Sequence, residues 1–247
     1  MTPLLLLIPG MNNTPRVWDR VREHLTVEVE VRVTDIRASH DIPAMAAAAW
    51  GELSAFDASR PLALAGYSMG GHVALQMIAT APRSVQGLAL VCSSATPESP
   101  SDSPMRERAI ASAQRNWDGY VSAIANHLAS ASTRANGPLM EAIVSDLREA
   151  GVESTVAQHR AAASRPDNRA LLPTLQLQAL VLAGAEDSRV PLAAARHLAA
   201  AIPAARLVEV PGAGHLLPSE QPELVAAEMD RWLNDILFPR PRSPGGR

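Results

Sequence analysis

Residues 62–77 read LALAGYSMGGHVALQM. A short apolar run, Leu62–Ala65, enters Gly66-Tyr67-Ser68-Met69-Gly70, and a longer apolar segment, Met69–Ala79, leaves it. The run is continuous, as in a strand buried on both faces, and the segment after it has helical spacing. A Gly-x-Ser-x-Gly pattern between the two fits a sharp strand-to-helix turn. Glycines two before and two after the serine leave room for close backbone approach. A serine held there faces the unsatisfied N–H groups and the positive dipole end of a helix.

The same alternation continues in both directions. Strands are expected at Leu4–Ile8, Val27–Thr34, Leu62–Ala65, Gln86–Cys92, Ala179–Ala183 and Ala205–Val210. Helices are expected at Arg16–Leu25, Pro43–Leu53, Met69–Ala79, Pro191–Ala200 and Pro222–Leu237. In the last of these, Leu224, Val225, Met229, Trp232, Leu233 and Ile236 make one apolar stripe. Apolar strands alternating with helices predict an α/β fold, a parallel sheet of about six strands with helices on both faces. Residues 96–172 break the rhythm. A Ser/Pro loop, TPESPSDSP (96–104), precedes four helical segments, Met105–Trp117, Gly119–Ser130, Leu139–Ala150 and Val152–Ser164. This insertion is expected to form a helical cap over the carboxyl edge of the sheet, where open α/β sheets bind ligands. The core is then 1–95 and 173–238, and the tail 239–247, PRPRSPGGR, reads as disordered.

Composition removes several chemistries. All 22 residues of the Lys+Arg class are arginine. A lysine Schiff base, a Walker A lysine and a Ser-Lys dyad are therefore excluded. The single cysteine, Cys92, excludes an internal disulfide and multi-cysteine zinc or Fe–S sites. It ends an expected strand and reads as a core residue. A formal net charge of −3 provides no basic field for nucleic acid. The N-terminal apolar run is five residues, Leu4–Ile8, too short for a signal segment or a membrane span. The expected setting is cytoplasmic, with no membrane and no nucleic-acid partner. Hydrophobic residues are 47% and aromatic residues 3%, so the core must be built from Leu, Val, Ile and Ala.

A serine hydroxyl needs a base. His215, in PGAGHLLPSEQPE (211–223), follows the last expected strand in a loop of small residues. His24 and His197 fall on helices away from the sheet's carboxyl edge. His72 is expected to point away from a substrate, and His127 and His159 to be exposed positions of the cap. The base needs an orienting carboxylate. Asp187 follows a strand and precedes a helix start, and is preferred to its neighbour Glu186. An oxyanion requires two N–H donors, expected from Met69 after the serine and from Met11 in the loop after the first strand. Asn12, Trp117, Tyr120 and Leu216 are expected to line the substrate pocket. Arg189 is the one arginine beside a motif, so no carboxylate clamp is apparent. The scheme requires no metal and no organic cofactor.

With these motifs together, the chain resembles the α/β-hydrolase superfamily from Leu4 to about Leu237. LLIPGMNNTPRVW (6–18) resembles its oxyanion loop, with Pro9 where many members carry histidine. GYSMGGHVAL (66–75) resembles the nucleophile elbow, LVLAGAEDSRVP (180–191) the acid segment and GAGHLLPSEQPE (212–223) the histidine segment. SRPDNRALLPTL (164–175) is similar to the cap exit of a bacterial esterase-like subgroup. The chain order Ser68, Asp187, His215 is the superfamily's order. The sheet begins at the family's third strand, which implies the order 2-1-3-4-5-6. The resemblance implies a serine hydrolase that acts on carboxylic esters of small molecules through an acyl-enzyme. Serine at the elbow sets the chain apart from the aspartate dehalogenases and epoxide hydrolases. C–C bond hydrolase, enol-lactonase, thioesterase, hydroxynitrile lyase, haloperoxidase and a non-catalytic small-molecule receptor remain alternatives.

Overall fold

The computed structural model describes residues 1–237. Its strands are β1 (Leu4–Ile8), β2 (Glu30–Val33), β3 (Leu62–Tyr67), β4 (Gly87–Val91), β5 (Gln178–Gly184) and β6 (Ala205–Val210). All pairings are parallel, and the order is β2-β1-β3-β4-β5-β6, as the sequence implied. Leu6 pairs with Leu64 and Leu64 with Leu88, so the central register aligns fully buried leucines.

Successive residues of a strand serve opposite faces. Leu4, Leu6, Ile8, Leu64, Leu88 and Leu90 meet α2 (Ile42–Leu53), α3 (Met69–Ala79) and α9 (Leu192–Ala201) on one face. Leu5, Leu7, Ala65, Val91 and Leu182 meet α1 (Asp19–His24) and α11 (Pro222–Leu237) on the other. Covering both faces explains why β1, β3 and β4 read as unbroken apolar runs. Local chemistry sets the boundaries. The Asp41 side chain accepts from the Ala44 N–H and Pro43 lies in the first turn, so α2 starts there.

Strand β2 is shorter than its apolar pattern predicts. Ahead of it, the Thr26 and Val27 N–H groups donate to the Asp230 carboxylate of α11 at 2.9 and 3.1 Å. That backbone is satisfied by a helix side chain rather than by a strand neighbour.

Between β4 and β5, residues 96–172 fold as α4 (Ser103–Arg115), α5 (Trp117–Leu128), α6 (Ala131–Arg134), α7 (Gly137–Glu149) and α8 (Val152–Ala163). The short α6 was not foreseen. Asn116, Ser130 and Asn136 cap the starts of α5, α6 and α7, so polar residues punctuate the insertion. Tyr120, Val121, Ala125, Ile143 and Leu147 form its own small core, joined by Leu216 from after β6. A short helix, α10 (Leu217–Glu220), precedes α11. The tail 239–247 lies outside the described residues. Among the described residues no helix is long and apolar enough to cross a membrane.

Leu64 is 0% exposed at the centre of the sheet. Leu64→Ala is expected to cost about 2–5 kcal/mol, read as a lower urea midpoint at unchanged m-value.

Candidate active site

The turn between β3 and α3 is built from backbone constraint. Ser68 has φ 51° and ψ −114°, a left-handed conformation that side-chain-bearing residues rarely adopt. A Cβ on Gly66 would collide with the Gly70 carbonyl, and one on Gly70 would collide with the Ile8 carbonyl of β1. The Ser68 N–H donates to Val91 O at 2.8 Å, and its carbonyl accepts from Ser93 Oγ at 2.7 Å. Both backbone groups of the serine are therefore fixed from the β4 side.

Three distant segments meet at the carboxyl ends of β3, β5 and β6. Ser68 Oγ lies 2.9 Å from His215 Nε2, and His215 Nδ1 lies 2.8 Å from Asp187 Oδ2. The Asp187 side chain is 0% exposed and that of His215 is 4% exposed. The other Asp187 oxygen accepts from the Arg189 and Val190 N–H groups at 2.7 and 2.8 Å, which fixes the carboxylate plane. Of the two adjacent acidic residues, Asp187 is the one that meets His215. Glu186 instead accepts from the Ala131 N–H at 2.8 Å. Cys92, Asp187 and His215 place one ligand-type atom each within 4.8 Å of one another. Asp187 and His215 already bond each other, and burial raises the Cys92 thiol well above its ordinary range, with the Asp187 charge adding to it. A protonated thiol is neither a metal ligand nor a nucleophile.

The site opens into a cavity of about 480 Å³ lined by residues of the sheet edge and the insertion. Asn12, Tyr120 and Leu216 line it, together with Met11 and Met69. Neither the Met11 nor the Met69 N–H has a hydrogen-bond acceptor among the described residues. Asn12 has φ 61°, and its N–H donates to Gln158 Oε1 of α8 at 2.8 Å. The turn that carries Met11 is thus held by the insertion.

Three expectations are corrected. Trp117 does not line the cavity. It sits one turn before Tyr120 and stacks on its outer side, ring centroids 5.7 Å apart, with its N–H donating to Arg148 O at 3.3 Å. His72 lines the cavity instead of pointing away, because four residues along a helix return to the face of Ser68. His159 is buried, not exposed. Its Nδ1 accepts from Arg106 Nη1 at 3.2 Å and its Nε2 lies 2.8 Å from Tyr120 Oη, while Arg106 is matched by the Glu98 carboxylate. Burial lowers His159 to about 4 and His72 to about 3, assisted by nearby arginine charges.

Sequence reasoning also missed Glu220. Its buried carboxylate accepts from the Gly214, Leu216 and Ser130 N–H groups at 3.0, 3.0 and 3.2 Å and from Thr133 Oγ1 at 3.0 Å. The loop around His215 is thereby tied to α6, and the His215 N–H adds a bond to Leu128 O at 2.9 Å. A glutamate five residues after the histidine carries no sequence signal for this role, since isolated acidic residues are usually solvated.

The chain matches the profile of the Alpha/beta hydrolase family over residues 5–228. It is 26% identical to a pimeloyl acyl-carrier-protein methyl ester esterase of Aromatoleum aromaticum, over 90% of this chain and 94% of that protein. It is 28% identical to the protein of the same name from Chromobacterium violaceum, over 86% of this chain and 87% of that one. A thermophilic esterase from Thermogutta terrifontis, solved with malate bound, superposes with a TM-score of 0.88 at 31% identity. That match covers 96% of this chain and 91% of that one.

Two outcomes follow from the buried polar groups. Glu220→Gln should lower stability by about 1.5–3 kcal/mol in urea denaturation, because an amide nitrogen then faces N–H donors. The histidines give a pH dependence. Unfolded imidazoles take up protons below about pH 6.5, whereas His159 and His72 stay neutral in the fold down to about 4 and 3. Their share of stability is complete above pH 6.5 and falls by roughly 1.4 kcal/mol per unit for each between pH 6 and pH 4. Urea midpoints at pH 7 and 5 should differ less for His159→Gln than for the parent chain.

Proposed function

The chain belongs to the alpha/beta hydrolase family, and from that premise we propose that Ser68, His215 and Asp187 hydrolyse a carboxylic ester of a small molecule in two steps. The observation that carries the reading is the unbroken line Ser68 Oγ, His215 Nε2, His215 Nδ1, Asp187 Oδ2, with contacts of 2.9 and 2.8 Å, at a strained strand-to-helix turn. The esterase names of the similar proteins from Aromatoleum, Chromobacterium and Thermogutta support the choice of ester.

His215 takes the Ser68 hydroxyl proton as Oγ attacks the ester carbonyl carbon, and the carbonyl electron pair moves to oxygen. The Met69 and Met11 N–H groups, which have no other acceptor among the described residues, receive that oxyanion. The imidazolium returns its proton to the departing alcohol oxygen and the acyl–serine bond remains. Water then attacks the acyl carbon, gives a proton to His215, and the carboxylic acid leaves as Ser68 regains its hydrogen. Asp187 fixes the imidazole tautomer and stabilises its charged form. Residues 96–172 act as the cap that shapes the cavity. The buried, unpaired Cys92 is compatible with a reducing cytoplasm.

Ser68→Ala should lower kcat on p-nitrophenyl butyrate by about 10⁴- to 10⁶-fold. Asp187→Asn should cost about 10⁴-fold. With one oxygen still receiving two backbone N–H groups, its amide nitrogen must face His215 and impose the wrong tautomer. A fluorophosphonate probe should label Ser68 in the parent chain and not in His215→Ala. Near-parental hydrolysis by Ser68→Ala would overturn the reading.

A further inference from the structure

The cavity beside Ser68 carries charge that the reaction itself does not use. Three arginines line it, Arg106, Arg165 and Arg189. Arg106 is matched, since it forms a two-pronged pair with Glu98 at 2.7 Å and both side chains are 7% exposed. The other two are not. Arg189 forms no side-chain hydrogen bond and no ion pair among the described residues. Among the described residues Arg165 donates only to the Thr96 and Pro97 carbonyls, at 3.0 and 3.3 Å, and forms no ion pair. Those bonds tether its guanidinium at the start of the insertion and leave further N–H groups without an acceptor. Asp102 alone is acidic among the lining residues, and it accepts from the Ser99 N–H at 3.2 Å.

This excess of positive charge sits on a chain whose net charge is −3. The charges also act on one another. Burial pulls the Arg165 guanidinium below the usual arginine range, and Arg189 and Arg106 lower it further against the opposing pull of Glu98 and Asp102. Arg165 and Arg189 together help to hold His72 neutral. Arg165 is half-buried, and an unmatched guanidinium that is partly desolvated is costly unless an anion arrives to share its N–H groups, whereas Arg189 is exposed and adds its charge from the rim. Among the lining residues, two unmatched guanidiniums against the one carboxylate of Asp102 leave one positive charge. That complements a monoanionic carboxylate better than a dianionic phosphate.

We propose that Arg165 and Arg189 form a subsite for a free carboxylate on the substrate, so that the preferred ester also carries an ionised carboxyl group, as in the half-ester of a dicarboxylic acid. The proposal rests on the ester reading for what happens at Ser68, but the subsite itself is a matter of binding. The sequence concealed it because Arg165 is 97 residues from Ser68, and only Arg189 adjoins a motif.

The test separates the two. In a Ser68→Ala background, calorimetry compares monomethyl adipate with dimethyl adipate, which has the same chain but no charge. The half-ester should bind about ten- to a hundredfold more tightly, and rising salt should weaken it. Arg189→Gln should remove most of that preference, and Arg189→Glu should reverse it. Arg189 is exposed and makes no side-chain bond, so these variants should fold. Arg165→Lys keeps a cation without the planar fork and should retain only part of the preference, and Arg165→Gln less. Equal binding of the two esters by Ser68→Ala, or a preference that survives both Arg189→Glu and Arg165→Gln, would overturn the subsite. Phosphate displacing the half-ester more effectively than acetate would overturn its assignment to carboxylate. Turnover of dimethyl adipate by the parent chain reads the ester chemistry separately. Discrimination by Ser68→Ala without parental turnover would leave the subsite standing and remove the ester reading.

Discussion

Everything in this molecule depends on holding one serine in a backbone conformation it would not choose. The left-handed φ of 51° at Ser68 costs on the order of 1–3 kcal/mol. The surrounding sheet keeps it there. Its N–H is donated to β4, its carbonyl accepts from Ser93 just beyond β4, and Gly66 and Gly70 allow α3 to approach β1 and β3 without a clash. The buried leucines of β1, β3 and β4 are therefore more than ballast. They fix the frame against which the strain is maintained, and relaxation at Ser68 would carry Oγ away from His215.

His215, the proposed base, is positioned by a different logic. It follows the penultimate long element, in a loop with no regular structure to align it. Its ring is held by Asp187 and its backbone by two further ties, the Glu220 carboxylate and the Leu128 carbonyl. Both ties lead to the insertion, since Glu220 also accepts from Ser130 and Thr133. The loop after β1 is treated in the same way, with the Asn12 N–H donated to Gln158. The insertion does not merely overlie a finished site. It supplies hydrogen bonds that align the histidine loop from one side and the first-strand loop from the other.

That division explains what could be read from the chain. The sheet, its order and the Ser68–Asp187–His215 grouping were legible because their signals are local. A buried strand is a run of apolar residues, a turn that needs glycine contains glycine, and each functional residue falls just after a strand. Residues of the insertion were not legible in that way. Trp117 and Tyr120 share one helix and similar chemistry, yet only Tyr120 enters the cavity, because helix rotation is decided by what α7 and Leu216 pack against. His159 reads as a surface residue until Arg106, 53 positions earlier and itself paired with Glu98, is brought beside it. Long-range pairing of polar groups leaves no periodic trace in sequence. His72 was a different failure, since helical geometry already placed it on the Ser68 face.

The absence of lysine takes on a physical meaning at this cavity. In the proposed reaction the oxyanion needs no side-chain cation, because backbone N–H groups at a strained turn and a helix start are available and fixed. A substrate anion does need one, and the position has to tolerate partial burial. An ammonium starts from a pKa near 10.4, and desolvation beside two other cations would bring it within reach of neutrality. A guanidinium starts above 12, so Arg165 remains charged even though burial and its neighbours lower it. Its planar fork also lets it bond two backbone carbonyls on one edge and keep other N–H groups for a ligand. Arginine is thus the residue that both anchors the entry to the insertion and keeps a charge on the cavity that Ser68 lines.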